Sequence, residues 1–229
     1  MMATRSSRLL RVAPFIVALS ACALTHREPP PPVNTPELPI ASDEAADSLL
    51  VDVQRVDSAV LVDLRYATAN NFTGAPLPGY SANRAYLRAE AAAALALAAA
   101  DLRREGYGVK IYDAYRPVRA SEAMVQWAQR TARTDLLRDG YIAARSRHNL
   151  GAAVDLTLVN VAGQEMPMGT AFDTFSRAAW TKNASGVIAK NRQKLKTAME
   201  RQGFANYPNE WWHFSYEVAN PVRFDRVIR

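Results

Sequence analysis

The chain has 229 residues, of which 49% are hydrophobic, and it carries a formal net charge of +6. This length and composition suffice to bury one substantial core, so a single folded domain is expected. The charge falls to about +3 once three arginines near the N-terminus are set aside, and no block of lysine and arginine follows, which argues against a nucleic-acid partner.

The N-terminus is typical of a secretory signal peptide. Arg5, Arg8 and Arg11 precede a short apolar run at residues 12–19, which is too short to span a bilayer as a mature helix. The run leads to Leu-Ser-Ala-Cys, ending at Cys22, and this sequence resembles the lipobox of bacterial lipoproteins, where cleavage precedes a cysteine that is then lipidated. The alternative is an ordinary signal peptide that happens to end near a cysteine. Cys22 is the only cysteine of the chain, so lipidation would leave no thiol for a disulfide.

A proline-rich stretch over residues 27–39 separates this N-terminus from the rest of the chain. Such proline density favours an extended, semi-rigid spacer between a lipid anchor and a folded domain. We therefore predict a signal peptide over residues 1–21, a lipidated cysteine with its linker over 22–48, and one folded domain over 49–229. The expected location is the bacterial cell envelope, with the domain anchored by its lipid at the periplasmic face of a membrane.

Within the folded domain, helices and strands follow one another without the regular alternation that builds parallel sheets. Strands are expected near residues 50–53, 59–66, 107–114, 153–159 and 211–216, and helices over 84–105, 118–131 and 186–202. The first of these helices is rich in alanine and leucine and is stopped by Gly106. This order predicts an α+β fold in which helices flank a small, mostly antiparallel sheet.

An aspartate inside an apolar strand is the first sign of a functional site. Asp155 lies in Ala-Val-Asp-Leu-Thr-Leu-Val, where an ionised carboxylate is costly unless it is paired or holds a metal. His148 precedes it by seven positions, and Gly151 between them lets the backbone turn so that both side chains can converge. His213 is the only other histidine beyond the leader region. Two histidines and one aspartate make a three-ligand set with an open position, the arrangement of a catalytic zinc centre.

Each of these residues also has a simpler interpretation. His148 could be a loop histidine, Asp155 could pair with an arginine, and His213 could pack among the aromatic residues beside it. Taken together, with Glu210 three residues before His213, they favour the metal site.

Arg116 is a further candidate for chemistry. It stands between the end of a predicted strand and Pro117, which restricts its backbone. A guanidinium held there is able to brace a carboxylate or a developing oxyanion. The alternative is a structural ion pair with an acid such as Asp113, and the sequence alone slightly favours that alternative.

Six short motifs run in order along the domain. They are Asp-Leu-Arg-Tyr-Ala-Thr at 63–68, Asn-Phe-Thr-Gly at 71–74, Asp-Ala-Tyr-Arg-Pro at 113–117, Ser-x-His-x-x-Gly-x-Ala-Val-Asp-Leu-Thr-Leu at 146–158, Met-Gly-Thr-x-Phe-Asp at 168–173 and Glu-Trp-Trp-His at 210–213. Together they resemble the D-alanyl-D-alanine dipeptidases, the vancomycin-resistance type and its relatives, within the wider zinc DD-peptidase and hedgehog-like superfamily. The resemblance covers roughly residues 50–217, and the ordered set is specific.

The resemblance implies a role for each residue of the candidate site. One zinc ion per chain would be bound by His148, Asp155 and His213. Glu210 would be the general base, and Arg116 would stabilise the transition state. The folded domain would then be the catalytic domain of a zinc peptidase.

Substrate contacts carry over by the same resemblance. The acid of the Phe-Asp loop, Asp173, with Ser146 and Tyr80, would hold the free ammonium end of the substrate. One departure from the family stands out, because Asn149 and Leu150 occupy a place where relatives often have small polar and basic residues. The ligands are untouched, so this departure is expected to affect substrate affinity rather than chemistry.

The function implied is hydrolysis of the dipeptide D-Ala-D-Ala to two D-Ala, in turnover or salvage of cell-wall peptides. One alternative is a zinc D,D-carboxypeptidase that trims peptidoglycan stem peptides, and another is a non-catalytic module that binds peptidoglycan around a structural zinc. Asp173, an anionic partner for a free amino terminus, favours the dipeptidase. Glu210 argues against the non-catalytic module, because a closed structural site needs no unligated base beside the metal.

Overall fold

A computed structural model describes residues 37–229 of the chain. The predicted signal peptide, the predicted lipidation site Cys22 and the part of the predicted linker up to residue 36 lie outside the described residues. Across residues 37–229, no helix is both long enough and apolar enough to cross a membrane.

Helices and strands follow the predicted order over most of the domain. The helices are α1 Asp43–Leu49, α2 Val53–Val56, α3 Ala89–Arg104, α4 Val118–Arg130, α5 Asp135–Arg138 and α6 Gly186–Arg201, with short 3₁₀ turns at Arg65–Ala67, Arg147–Leu150 and Arg177–Ala179. The strands are β1 Leu50–Asp52, β2 Leu61–Val62, β3 Tyr86–Arg88, β4 Tyr107–Asp113, β5 Ala153–Asn160, β6 Ala205–Asn206 and β7 His213–Ser215.

The central sheet has five strands in the order β2-β4-β5-β7-β6. The β2–β4 pair is parallel and every other pair in this sheet is antiparallel. A separate two-stranded antiparallel sheet joins β1 to β3. The predicted α+β fold with a small, mostly antiparallel sheet is therefore confirmed.

Strand register brings three polar residues side by side at one end of the central sheet. Asp113 on β4 is the cross-strand neighbour of Asp155 on β5, after a register shift that begins at Ile111. Asp155 is in turn the neighbour of His213 on β7. Because neighbouring strands lie about 4.8 Å apart, this row sets three ionisable side chains within reach of one another.

The helix α3 packs against both β4 and α6 and forms one wall of the core. Leu95 and Leu102 are fully buried, and small alanines of the same helix, such as Ala91 and Ala98, are buried as well. Alanine brings little side-chain volume, so the helix can approach its neighbours closely. The alanine richness of this segment therefore serves packing.

Two parts of the structure differ from the expected elements. The helix expected over residues 84–105 begins only at Ala89, because Tyr86–Arg88 pairs with β1 and the amide of Arg88 donates to the carbonyl of Gly151 at 2.8 Å. Tertiary pairing here overrides local helix propensity. The strand expected over 59–66 shortens to two residues for a similar reason, since the chain turns into a 3₁₀ helix whose Tyr66 is buried.

The folded part also begins before the predicted boundary at residue 49. The amide of Ala41 donates to the carbonyl of Arg223 at 2.8 Å, and the amide of Arg223 donates to Pro39 at 2.9 Å. Ser42 then caps α1 by accepting from the amide of Ala45. This stretch is acidic and rich in alanine. Its local sequence does not indicate that its backbone pairs with a segment far away in the chain.

Candidate metal centre and active site

The candidate metal ligands come from two strands and one tight turn. Asp155 and His213 are cross-strand neighbours on β5 and β7, and His148 lies in the 3₁₀ turn just before β5. Ser146 opens that turn by accepting from the amide of His148 at 3.2 Å, and Gly151 closes it with φ +63°. A Cβ at Gly151 would meet a side-chain carbon of Leu50 at 2.5 Å, so glycine serves both the left-handed backbone and the close packing.

The three side chains converge on one point. His148 Nε2 lies 3.2 Å from His213 Nδ1, His213 Nδ1 lies 2.9 Å from Asp155 Oδ1, and His148 Nε2 lies 3.4 Å from Asp155 Oδ2. Ligands 2.0–2.1 Å from a tetrahedral zinc ion are separated from one another by about 3.3 Å. These donor atoms therefore have the identity and the mutual spacing that zinc requires.

Neighbouring groups prepare these side chains to bind a cation. The Nδ1 atom of His148 lies 2.6 Å from the carbonyl of Ala114, which orients the ring and leaves Nε2 to face the cluster. Burial lowers the pKa of His213 below its ordinary value and so favours the neutral imidazole that binds metal. Burial by itself would raise the pKa of Asp155, but the two histidines outweigh it and lower that pKa.

Glu210 stands beside this cluster rather than within it. Its Oε2 lies 3.9 Å from His213 Nδ1, farther than any of the contacts among the three ligands. The turn that carries it is held at both ends, because the Glu210 amide donates to the carbonyl of Tyr207 at 3.0 Å and Asn206 Nδ2 donates to the carbonyls of Glu210 and His213. Burial, followed by the charges of Asp155 and Asp173, raises the pKa of Glu210 well above its ordinary value. A carboxylate in this setting is a strong proton acceptor.

Arg116 makes the ion pair with Asp113 that the sequence suggested, and it also lines the cavity. Its Nε and Nη2 lie 2.9 and 2.8 Å from Asp113 Oδ2, which is the structural ion pair. The other oxygen of Asp113 accepts from the hydroxyl of Tyr80 at 2.6 Å. The same guanidinium also lines the cavity in front of the cluster, with Nη2 at 3.9 Å from Asp155 Oδ2. Asp113 therefore holds Arg116 in place beside the candidate metal ligands.

The cavity itself has a volume of about 240 Å³. It is smaller than the roughly 300–1,000 Å³ of typical sites for drug-sized ligands, which suits a small substrate. The ionisable residues of its lining include Arg116, His148, Asp155, Asp173, Glu210 and His213, and Ser146 also lines it.

Asp173 and Tyr66 form the polar end of this cavity. The hydroxyl of Tyr66 lies 3.1 and 3.0 Å from the two carboxylate oxygens of Asp173. Asp173 has φ +58°, a left-handed conformation uncommon outside glycine, and burial raises its pKa well above the ordinary value. Sequence reasoning missed Tyr66, although it lies inside one of the motifs that carried the family resemblance.

Tyr80 and Asn149, which were expected to affect substrate binding, do not line the active-site cavity. Tyr80 is buried behind Asp113 and is not among the residues that line this cavity, so its contact supports Arg116. Asn149 is completely buried and also points away from the cavity. Its Nδ2 donates to the carbonyl of Arg116 at 2.9 Å and to the hydroxyl of Ser121 at 3.0 Å, so this departure from the family pattern falls on the framework of the site.

The family model and the curated relatives that match the chain carry the same description. The model of a family described as "D-ala-D-ala dipeptidase" matches residues 46–226. A D-alanyl-D-alanine dipeptidase of Enterococcus faecium is 37% identical over 169 residues, covering 66% of this chain and 83% of the relative. One of Streptomyces coelicolor is 35% identical over 179 residues, covering 71% and 89%. Among solved structures, a zinc complex of the vancomycin-resistance D,D-pentapeptidase VanY shows a distant likeness, with 18% identity, a TM-score of 0.39, and coverage of 59% of this chain and 75% of that one.

Proposed function

The chain belongs to the D-Ala-D-Ala dipeptidase family, and we propose on that premise that it is a zinc metallopeptidase that hydrolyses D-Ala-D-Ala to two molecules of D-Ala. The observation that carries the proposal is the convergence of His148, Asp155 and His213, with the spacing of zinc ligands, at the floor of a small cavity that also holds Glu210 and Arg116. A bound zinc ion supplies Lewis acidity, which polarises the scissile carbonyl and makes a water molecule more acidic.

The remaining chemistry belongs to side chains of this protein. Glu210 accepts a proton from the attacking water and delivers it to the amine that leaves as the peptide bond breaks. Attack on the carbonyl carbon places negative charge on its oxygen, and the Arg116 guanidinium, fixed by Asp113, stabilises that charge. Because these groups are held before the substrate arrives, little reorganisation is needed during the reaction.

Asp173 is the proposed partner of the substrate's ammonium group. Its carboxylate faces the cavity that Glu210 and the metal ligands also line, and the Tyr66 hydroxyl fixes its position. A free dipeptide brings a positive charge that compensates the half-buried carboxylate of Asp173, whereas a substrate blocked at its amino end leaves that carboxylate uncompensated. This preference for a charged amino terminus supports a dipeptidase over a carboxypeptidase.

The test is release of free D-alanine by the zinc-loaded protein. D-Ala-D-Ala is offered beside N-acetyl-D-Ala-D-Ala and a peptidoglycan pentapeptide, with a chelator control and a readdition of zinc. We expect cleavage of the free dipeptide alone, abolished by chelation. Cleavage of the pentapeptide would move the protein to the carboxypeptidases, and failure to cleave any of the three with zinc bound would favour a peptidoglycan-binding module.

We also propose that the enzyme works at the periplasmic face of a bacterial envelope membrane, held there by a lipid on Cys22. The basic N-terminus, its short apolar run and the Leu-Ser-Ala-Cys sequence support this location. Fractionation of cells expressing the chain and its Cys22→Ser variant tests it. The unsubstituted protein should sediment with membranes and the variant should not, while equal distribution of the two would contradict the lipid anchor.

A further inference from the structure

Three aromatic side chains close one side of the active-site cavity. Phe72, Tyr141 and Phe175, here called the aromatic wall, all line the cavity, and each is also partly exposed on the surface. The aromatic wall therefore bounds the cavity on one side.

The rings of the wall hold one another in place across three separate loops. The Phe72 and Phe175 ring centroids lie 5.1 Å apart in an edge-on arrangement, and those of Phe175 and Tyr141 lie 5.5 Å apart. Trp127 on α4 backs Phe72 at 5.0 Å. The hydroxyl of Tyr141 accepts from Trp180 Nε1 at 3.1 Å. Such aromatic pairs are favourable beyond the area that they bury, so the wall is a defined surface.

The wall lies next to Asp173, the proposed partner of the substrate's ammonium group. Tyr66, which donates to Asp173, packs edge-on against Phe72 with ring centroids 6.1 Å apart. Phe175 follows Asp173 by only two residues. A group attached to an ammonium bound at Asp173 would therefore lie close to these rings.

We propose that Phe72, Tyr141 and Phe175 set the length of the substrate by excluding peptides extended beyond the amino end of D-Ala-D-Ala. The inference rests on the proposed function and deepens it, because it adds a steric limit to the charge preference of Asp173. A substrate with a blocked amino end binds poorly because it brings no positive charge to Asp173. A longer peptide binds poorly because the aromatic wall leaves no space for the added residue.

A pair of substrates separates these two effects. Gly-D-Ala-D-Ala keeps a positive amino terminus but adds one residue, whereas N-acetyl-D-Ala-D-Ala adds a smaller group and removes the charge. We compare kcat/KM for each with that for D-Ala-D-Ala, using zinc-loaded wild type and the variants Phe175→Ala, Phe72→Ala and Tyr141→Ala. Products are identified by mass, so that only cleavage of the last peptide bond is counted.

We expect the wall variants to raise the ratio of tripeptide to dipeptide kcat/KM about 10- to 200-fold over wild type, the range that a change in the apolar shape of a pocket typically provides. The ratio of kcat/KM for N-acetyl-D-Ala-D-Ala to that for D-Ala-D-Ala should rise less, because the acetylated substrate brings no positive charge to the Asp173 carboxylate. Tyr107→Ala is the matched control, since Tyr107 is a partly buried aromatic at the far end of β4 and is not among the residues that line this cavity. Its ratios should equal those of wild type.

Two results would overturn the inference. One is a set of folded, zinc-loaded wall variants that cleave D-Ala-D-Ala but reject the tripeptide as strongly as wild type does. The other is a wild-type enzyme that already cleaves the tripeptide as well as the dipeptide. If the alanine variants unfold, Phe72→Leu and Phe175→Leu provide the same comparison with most of the apolar volume retained. In both overturning results the wild type still hydrolyses D-Ala-D-Ala, so they are distinct from failure of the proposed function.

Discussion

The two sides of the active-site cavity are built in different ways. On the metal side, Asp155 and His213 are neighbours in a sheet, and His148 lies in a capped turn that runs directly into β5. On the substrate side, Asp173 and the aromatic wall come from loops, and Tyr66 comes from the short 3₁₀ turn Arg65–Ala67. Strand register fixes positions through backbone hydrogen bonds, whereas loops rely on contacts between side chains. The comparison assigns the metal ligands to the sheet and the turn before β5, and the choice of substrate to segments outside the sheet.

The metal side should show the largest effects, beginning with a ligand. His148→Ala removes one of three donors, and we expect loss of bound zinc and of activity down to background. Zinc content measured by atomic emission, together with D-alanine release, checks this. Adding zinc should restore chelated wild type but not the variant. Full activity in a variant without zinc would contradict the assignment of the ligands.

The next effect separates the base from the ligands. Glu210→Gln keeps the shape of the side chain but cannot accept a proton, so we expect kcat to fall about 10²- to 10⁴-fold, the usual contribution of general acid–base catalysis. Zinc content should stay at one ion per chain. Loss of zinc together with activity would instead make Glu210 a ligand and would enlarge the metal cluster.

Arg116 tests whether the oxyanion is stabilised from the metal side. Arg116→Ala should lower kcat about 10²- to 10³-fold with zinc retained, because it removes one preorganised donor. Asp113→Asn, which weakens the pair that holds the guanidinium, should give a smaller loss in the same parameter. If both variants kept near-normal kcat, Arg116 would have only the structural role that the sequence slightly favoured.

A substitution on the substrate side should change the affinity for the substrate more than the rate of the chemical step. Asp173→Asn removes the negative charge while keeping the hydrogen bond to Tyr66 possible, and we expect kcat/KM for D-Ala-D-Ala to fall about 10- to 150-fold, as for loss of a hydrogen bond to a charged group. Steady-state kinetics should show most of this change in KM. An equal fall in kcat with unchanged KM would place Asp173 among the residues that act on the transition state.

A substitution of Asn149 should have the smallest effect on turnover, because Asn149 does not line either side of the active-site cavity. Asn149→Ala leaves the carbonyl of Arg116 and the hydroxyl of Ser121 without their donor, which should lower the free energy of unfolding by about 1–3 kcal/mol. Denaturant unfolding of zinc-loaded protein measures this, and Asn149→Ser, which keeps a short donor, should lose less. A change in KM without any loss of stability would instead support the effect on substrate affinity that the sequence predicted for this position.

The sequence by itself was sufficient for the fold class and for the grouping of the metal-site residues. His148, Gly151 and Asp155 lie within eight residues of one another, so their convergence follows from a turn and a strand that local chemistry already indicates. His213 belongs to a short aromatic motif, and Glu210 comes three residues before it. Burying a polar or charged residue in an apolar strand costs free energy unless the residue is paired or binds a metal. Such a residue in an apolar run therefore indicates a functional site.

Only the tertiary structure decided how these residues are supported and how large a substrate fits. The contact of Tyr66 with Asp173 spans 107 positions, and the aromatic wall joins loops that begin near residues 72, 141 and 175. Tyr80 and Asn149 lie behind the site rather than in it. The segment Tyr86–Arg88, which was predicted to be helical, forms a strand that pairs with β1. Local sequence records the propensity of each segment, but which distant loops meet depends on how the whole core packs.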